Sequence, residues 1–217
     1  DKPTHILSIG VTGHLLLNAE EREHVAGEAR SQLDSLLADD KQISAVRLVS
    51  GLAPGADMVL TDALMAACEA HGVPCHLTAA VVDSPEDILE RWQHRVVELG
   101  GSITPYIVEQ VDRRLRELLL RADRQMRFMS PPGEPKLGYQ QLSALLAESC
   151  MVVFAVLRPE HPHHTGGAME TLEWWEHSER IPDEFRLGFP LNVVSWQRRL
   201  IRINPSASAK SSQRHVL

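Results

Sequence analysis

Val46-Arg47-Leu48-Val49-Ser50-Gly51-Leu52-Ala53-Pro54-Gly55-Ala56-Asp57 decides the fold. Its first four residues suit a buried strand, its middle is a glycine turn, and residues 56–70, rich in Ala, Leu and Met, read as a helix. His71-Gly72, with Pro74 just beyond, stops that helix. Working outward, residues 5–10 form a short apolar strand that enters a second glycine stretch, Gly10-Val11-Thr12-Gly13-His14. Asn18-Ala19-Glu20-Glu21 then approximates a capping box, and Val25, Ala29, Leu33 and Leu36 line one helical face to about Leu37. Residues 73–80 supply a third strand.

The strand-helix rhythm continues less regularly. Ser84-Pro85-Glu86-Asp87 caps a helix reaching about Leu99, and Thr104-Pro105 opens another that runs to about Arg124. On that second helix Arg113, Arg114, Arg116, Arg121 and Arg124 alternate with Glu109, Asp112, Glu117 and Asp123, the pattern of a solvated face laced with ion pairs. Residues 126–129 suit a short strand, residues 139–148 an amphipathic helix with Leu142, Leu145 and Leu146 inward, and residues 151–157 a central strand. A third glycine stretch, Thr165-Gly166-Gly167-Ala168-Met169-Glu170-Thr171, leads a helix that carries Met169, Leu172 and Trp175 and ends near Arg180. Residues 191–195 and 200–203 are the last candidate strands. These repeats predict one three-layer α/β/α Rossmann-like domain over residues 1–205, with a mostly parallel sheet and right-handed crossovers. The Ser-, Ala- and Lys-rich tail at 206–217 has too little apolar surface to order itself.

Composition narrows the function. With 217 residues and 43% hydrophobic content the chain can build one sizeable core. A formal charge of -7 and a pI near 5.9 give no basic footprint for a duplex, so nucleic-acid binding is disfavoured. Cys68, Cys75 and Cys150 lack metal or disulfide spacing, which suits a reducing cytoplasm. No apolar run spans a bilayer and Asp1-Lys2-Pro3 opens no signal peptide, so no membrane partner is expected. His161, His163 and His164 lack the accompanying acids or cysteines of a metal site, and none is expected.

In a parallel sheet all three glycine stretches emerge at the carboxyl edge, where bare N–H groups and helix N-termini can surround an anion. A dinucleotide fingerprint is ruled against by Thr12 and Leu15 and by Ser50-Gly51 where strand two should end in an acid; no Gly precedes Lys-Ser or Lys-Thr as a P-loop requires. Ser50 has no nucleophile elbow around it. Ser50, Gly51, Leu52, Gly55 and Ala56 are candidate phosphate contacts, and Asp57 either ties down the loop or binds a ribose hydroxyl. Gly10 and Gly13 permit close backbone approach, while Thr12 and His14 offer donors at the mouth or simply pack. Gly166 and Gly167 open the third turn; Glu170 and Thr171 follow, Glu170 as a ribose ligand, a helix-start acid, or a proton donor to a leaving base. Tyr139 stacks on a base or fills the core edge, and Trp174 and Trp175 pack against the sheet or a second subunit.

The stretches Ile9-Gly10-Val11-Thr12-Gly13-His14 and Ser50-Gly51-Leu52-Ala53-Pro54-Gly55-Ala56-Asp57, with Tyr139 and then Gly166-Gly167 around a hydrophobic strand, resemble the SLOG superfamily over residues 4–180. Its members are related to the DNA-processing protein DprA and to the LOG nucleoside-monophosphate phosphoribohydrolases. The resemblance implies a nucleotide-derived small-molecule ligand, a sensing or binding role without a cofactor, and a homodimer. Its alternatives are an N-glycosidase using Glu170 with an arginine of residues 113–124, and DprA-like binding of single-stranded DNA, against which the acidic balance argues. The chain departs from the family at Leu15, where many relatives place Arg, at Cys150, where an acid is common, and at Glu170, where the enzymes continue a longer glycine motif.

Overall fold

The computed structural model describes residues 4–159, 167–188 and 198–207. Strands β1 (His5–Gly13), β2 (Ile43–Ser50) and β3 (Cys75–Val82) alternate with helices α1 (Ala19–Asp39) and α2 (Ala56–Ala70). Two helices, α3 (Pro85–Glu98) and α4 (Pro105–Arg121), lead to β4 (Arg124–Phe128). Then come α5 (Pro135–Ser149), β5 (Val152–Val156), α6 (Ala168–Glu176) and β6 (Arg199–Ile203). The six strands form one sheet in the order β4-β3-β2-β1-β5-β6, and every neighbouring pair is parallel. The fold is therefore a three-layer, Rossmann-like α/β domain.

Period-two alternation assigns the two faces. Leu7, Ile9 and Val11 of β1, Val46 and Leu48 of β2, Leu77 and Val81 of β3, and Phe154 of β5 point to the core shared with α1 to α4. Val49, Ala80, Val82, Val153 and Ala155 point to the opposite core, built with α5 and α6. On that second face β1 carries the exposed Ile6 and then the small Ser8, Gly10 and Thr12, so α5 comes close: a Cβ on Gly10 would lie 2.9 Å from Cys150 Sγ and 3.0 Å from Leu146 Cδ2. Trp175 donates its indole N–H to the Cys150 carbonyl at 3.1 Å, and Trp174 stacks on Phe185 at 5.9 Å, so both tryptophans pack within the chain.

Strand order reverses between β1 and β5. The chain winds from β1 out to β4, then returns through α5 on the other face to lay β5 against the free side of β1. A crevice at the carboxyl ends of the strands is expected at such a reversal.

Several element ends differ from expectation. The Gly10 to Gly13 stretch is no turn: β1 continues through it, Gly10 paired with Val49 and Val153, and Gly13 with Val156. Pairing on both sides of a central strand overrides the local glycine signal. The helix expected to reach Arg124 stops at Arg121 because Ala122 is extended; Asp123 accepts from Leu77 N–H at 2.8 Å and Gln125 donates to the Leu119 carbonyl at 2.7 Å, drawing the chain into β4. Helix α6 ends at Glu176, and Ser178–Arg180 is a separate 3-10 turn. The expected strand at 191–195, the histidines at 161, 163 and 164, Gly166, and residues 208–217 lie outside the described residues; Pro205–Ala207 forms a 3-10 turn. Among the described residues no helix is long and apolar enough to cross a membrane.

Candidate functional site

The carboxyl ends of β1, β2, β3 and β5 open onto a cleft of about 590 Å³. Of the residues expected there, Thr12, Gly13, His14, Gly51, Asp57, Gly167 and Thr171 line it together. Gly10, Ser50, Leu52, Gly55, Ala56 and Glu170 are not among the lining residues, and the structure gives most of these a building role.

The turn after β2 shows how. Gly55 is the N-cap of α2 with φ +123°, a conformation open to glycine, and a Cβ there would run into the Leu15 carbonyl oxygen. That close approach lets Ala56 donate its N–H to the His14 carbonyl at 2.9 Å, so this first helical donor is spent on the chain itself rather than on an anion. Leu52, at φ +53° and fully buried, donates its N–H to Ser50 Oγ at 3.1 Å, and Ser50 shares a 2.9 Å hydrogen bond with the Thr61 hydroxyl. Ser50 thus shapes the loop from beneath.

Asp57 ties down the loop and also lines the cleft. Burial pushes its carboxyl up to about 7, partly countered by the Ala53 backbone N–H turned toward it, so it holds the loop while facing the cleft. Gly51 makes room, since a Cβ there would lie 2.7 Å from Leu142 Cδ2 and 3.1 Å from Asp57 Oδ2.

On the other side of the switch, His14 donates its backbone N–H to the Val156 carbonyl at 3.1 Å. The Thr171 hydroxyl lies 2.8 Å from Ser143 Oγ and 3.3 Å from the Gly167 carbonyl. Glu170 is buried at 9% exposure and accepts from Gln140 Nε2 at 3.4 Å.

Three arginines that sequence reasoning passed over line the cleft: Arg158 after β5, and Arg91 and Arg95 on α3. Arg158 bonds the Glu21 carboxylate at 2.6 Å and the Leu16 carbonyl at 3.3 Å. Burial works to raise the Glu21 carboxyl, but Arg158 and the Asn18 N–H outweigh it and hold that group below its ordinary range. Arg91 donates to Asp83 at 2.9 Å, the Val82 carbonyl at 2.8 Å and the Tyr139 hydroxyl at 3.2 Å, its guanidinium 5.5 Å over the Tyr139 ring. Tyr139 itself lines the cleft. A signal existed: Ile88, Arg91, Arg95 and Leu99, all lining residues, recur at helical spacing behind the Ser84 capping box.

No arginine of α4 lines the cleft. Arg113 pairs with Glu109, Arg116 with Asp112 and Glu86, and Arg114 with Glu117 and Asp62. A second, shallow groove of about 620 Å³ lies between α3 and α4, and no strand end contributes to it. No group of three His, Cys, Asp or Glu placed to hold a metal occurs among the described residues. Cys150 is buried and its thiol is pushed up to about 11 by desolvation, unsuited to attack.

Chemically the cleft is an apolar trough with one buried carboxyl, a few hydroxyls and cations on its walls. Apolar walls with a few converging polar groups are the usual make-up of a small-molecule pocket. No family model and no curated protein matches the chain.

Proposed function

We propose that the chain binds a nucleotide-derived small molecule in the cleft at the carboxyl edge of the sheet, as a sensor or binding protein. The observation that carries this reading is the convergence of seven expected ligand residues, from three separate glycine stretches, with three arginines around one cavity at the strand reversal. The resemblance to SLOG proteins supports it, and with it a homodimer, while the spacing of Cys68, Cys75 and Cys150 supports a cytoplasmic setting. Binding is favoured over turnover because Glu170, the group glycosidic cleavage would use, is buried, bonded to Gln140, and not among the cleft-lining residues.

Thermal denaturation with AMP, cyclic nucleotides, ADP-ribose and NAD tests the reading: at least one raises the melting temperature by mass action. A chain indifferent to all of them has some other role. Free base released from AMP, and lost in Glu170→Gln, would replace binding with catalysis.

A further inference from the structure

Resting on the nucleotide reading, we infer that the ligand is a nucleoside carrying two phosphoryl groups at separate positions, one bound at each end of the cleft. The cations enter from opposite ends of the strand row. Arg158 follows β5, whereas Arg91 and Arg95 sit on α3, which follows β3. In the order β3-β2-β1-β5 these ends are three strand intervals apart, roughly 14 Å at the usual interstrand spacing. Val82 and Asp83 hold the Arg91 guanidinium at the β3 end, and Glu21 and the Leu16 carbonyl hold that of Arg158, so neither is swung across the row toward a shared phosphoryl group.

Among the described lining residues, what lies between is uncharged apart from one group. Val11, Leu142 and Leu146 are apolar and buried, and Asp57, from the turn after β2, is the carboxyl that lines this stretch. Along the row the lining therefore reads cation, apolar trough with a buried carboxyl, cations. A base and ribose match the middle, with a hydroxyl or amine donating to Asp57, and phosphoryl groups match the two ends. His14, whose backbone N–H bonds the Val156 carbonyl of β5, lies at the Arg158 end.

Each guanidinium is held by a carboxylate and keeps donors to spare. Glu21 fixes Arg158, Asp83 fixes Arg91 and Glu98 fixes Arg95, the last at 2.9 Å. A guanidinium has five N–H donors. Arg91 commits one from each of its three nitrogens, while Arg158 commits only one terminal nitrogen and Arg95 another. Orientation by an acid lowers the ordering cost of binding a phosphoryl group. The Arg95–Glu98 pair is exposed, so giving it up costs little. A mononucleotide would satisfy one end and leave the other set of donors to water.

Calorimetric titration of the whole chain tests this with adenosine and guanosine 3′,5′-bisphosphates against the corresponding 5′- and 3′-monophosphates, with the dinucleotide pApA as a further arm. A doubly phosphorylated probe binds at least about tenfold tighter than the monophosphates, and Arg95→Gln and Arg158→Gln each remove that advantage. Preference for pApA over the bisphosphates assigns the second phosphoryl group to a dinucleotide; the reverse assigns it to an isolated bisphosphate. Equal binding of mono- and bisphosphates, or an advantage that survives in Arg95→Gln, overturns the two-phosphoryl inference and leaves the nucleotide reading standing. If neither these probes nor AMP, cyclic nucleotides, ADP-ribose or NAD bind, the nucleotide reading itself fails.

Discussion

Two glycine stretches that look alike in sequence do different work. In Gly10 to Gly13 the glycines sit in a central strand, and their missing side chains let α5 and β5 close on β1. In Gly51 to Gly55 the backbone itself turns, through φ +53° at Leu52 and +123° at Gly55. Glycine thus supplies only room in the first stretch, and both room and a positive-φ backbone conformation in the second. The consequence is functional, because the packed stretch delivers Thr12 and His14 to the cleft on a rigid strand, while the turned one delivers Asp57.

Breaking the turn should cost most. Gly55→Ala combines a positive φ with a collision against the Leu15 carbonyl, and destabilisation of about 3 kcal/mol or more is expected in urea unfolding. Gly13→Ala should approach it, at about 2–3 kcal/mol, since its Cβ would lie 2.7 Å from the Val156 carbonyl oxygen and 2.8 Å from Ala56 Cβ. A Gly55→Ala chain as stable as wild type would mean that the turn is not built as described.

The turn also carries a pH signature that the strand lacks. The folded protein keeps Asp57 protonated to about pH 7, whereas the unfolded chain releases that proton near 3.8. Between those values the unfolded state binds fewer protons, so this group makes stability fall as pH rises through the window. Asp57→Asn removes the dependence. Urea unfolding should show the variant gaining on wild type by on the order of 4 kcal/mol between pH 4 and pH 8, and parallel pH curves for the two proteins would contradict the burial of the charge.

Gly10→Ala sharpens the comparison at the smallest scale. Its clash is with side chains, Cys150 Sγ and Leu146 Cδ2, so a loss of about 1–2 kcal/mol should be partly recovered in the Gly10→Ala, Cys150→Ala double variant. No such recovery is expected for Gly55→Ala, whose obstacle is backbone.

Legibility followed the range of the interaction. Helix α2 at Ala56–Ala70 and the capping boxes at Asn18 and Ser84 stood in the sequence because caps and helical faces are set by residues three or four apart. The passage of β1 through Gly10 to Gly13 did not, since it depends on Val49 and Val153, far along the chain. The cleft was half legible for the same reason. Glycine stretches announced its floor, whereas Arg91 and Arg158 reach it only through α3 docking beside β3 and β5 settling beside β1. The Ser50 hydroxyl, expected at the ligand, meets the buried Thr61 of α2 eleven residues further on, a contact that no local pattern announces.

The most direct test is amide hydrogen exchange of the intact chain with and without saturating AMP or ADP-ribose. The account predicts slowed exchange at residues 13–16, 51–53 and 167–171 together, with the groove between α3 and α4 unchanged. Unchanged exchange at all three segments with both nucleotides, or protection confined to that groove, would contradict it.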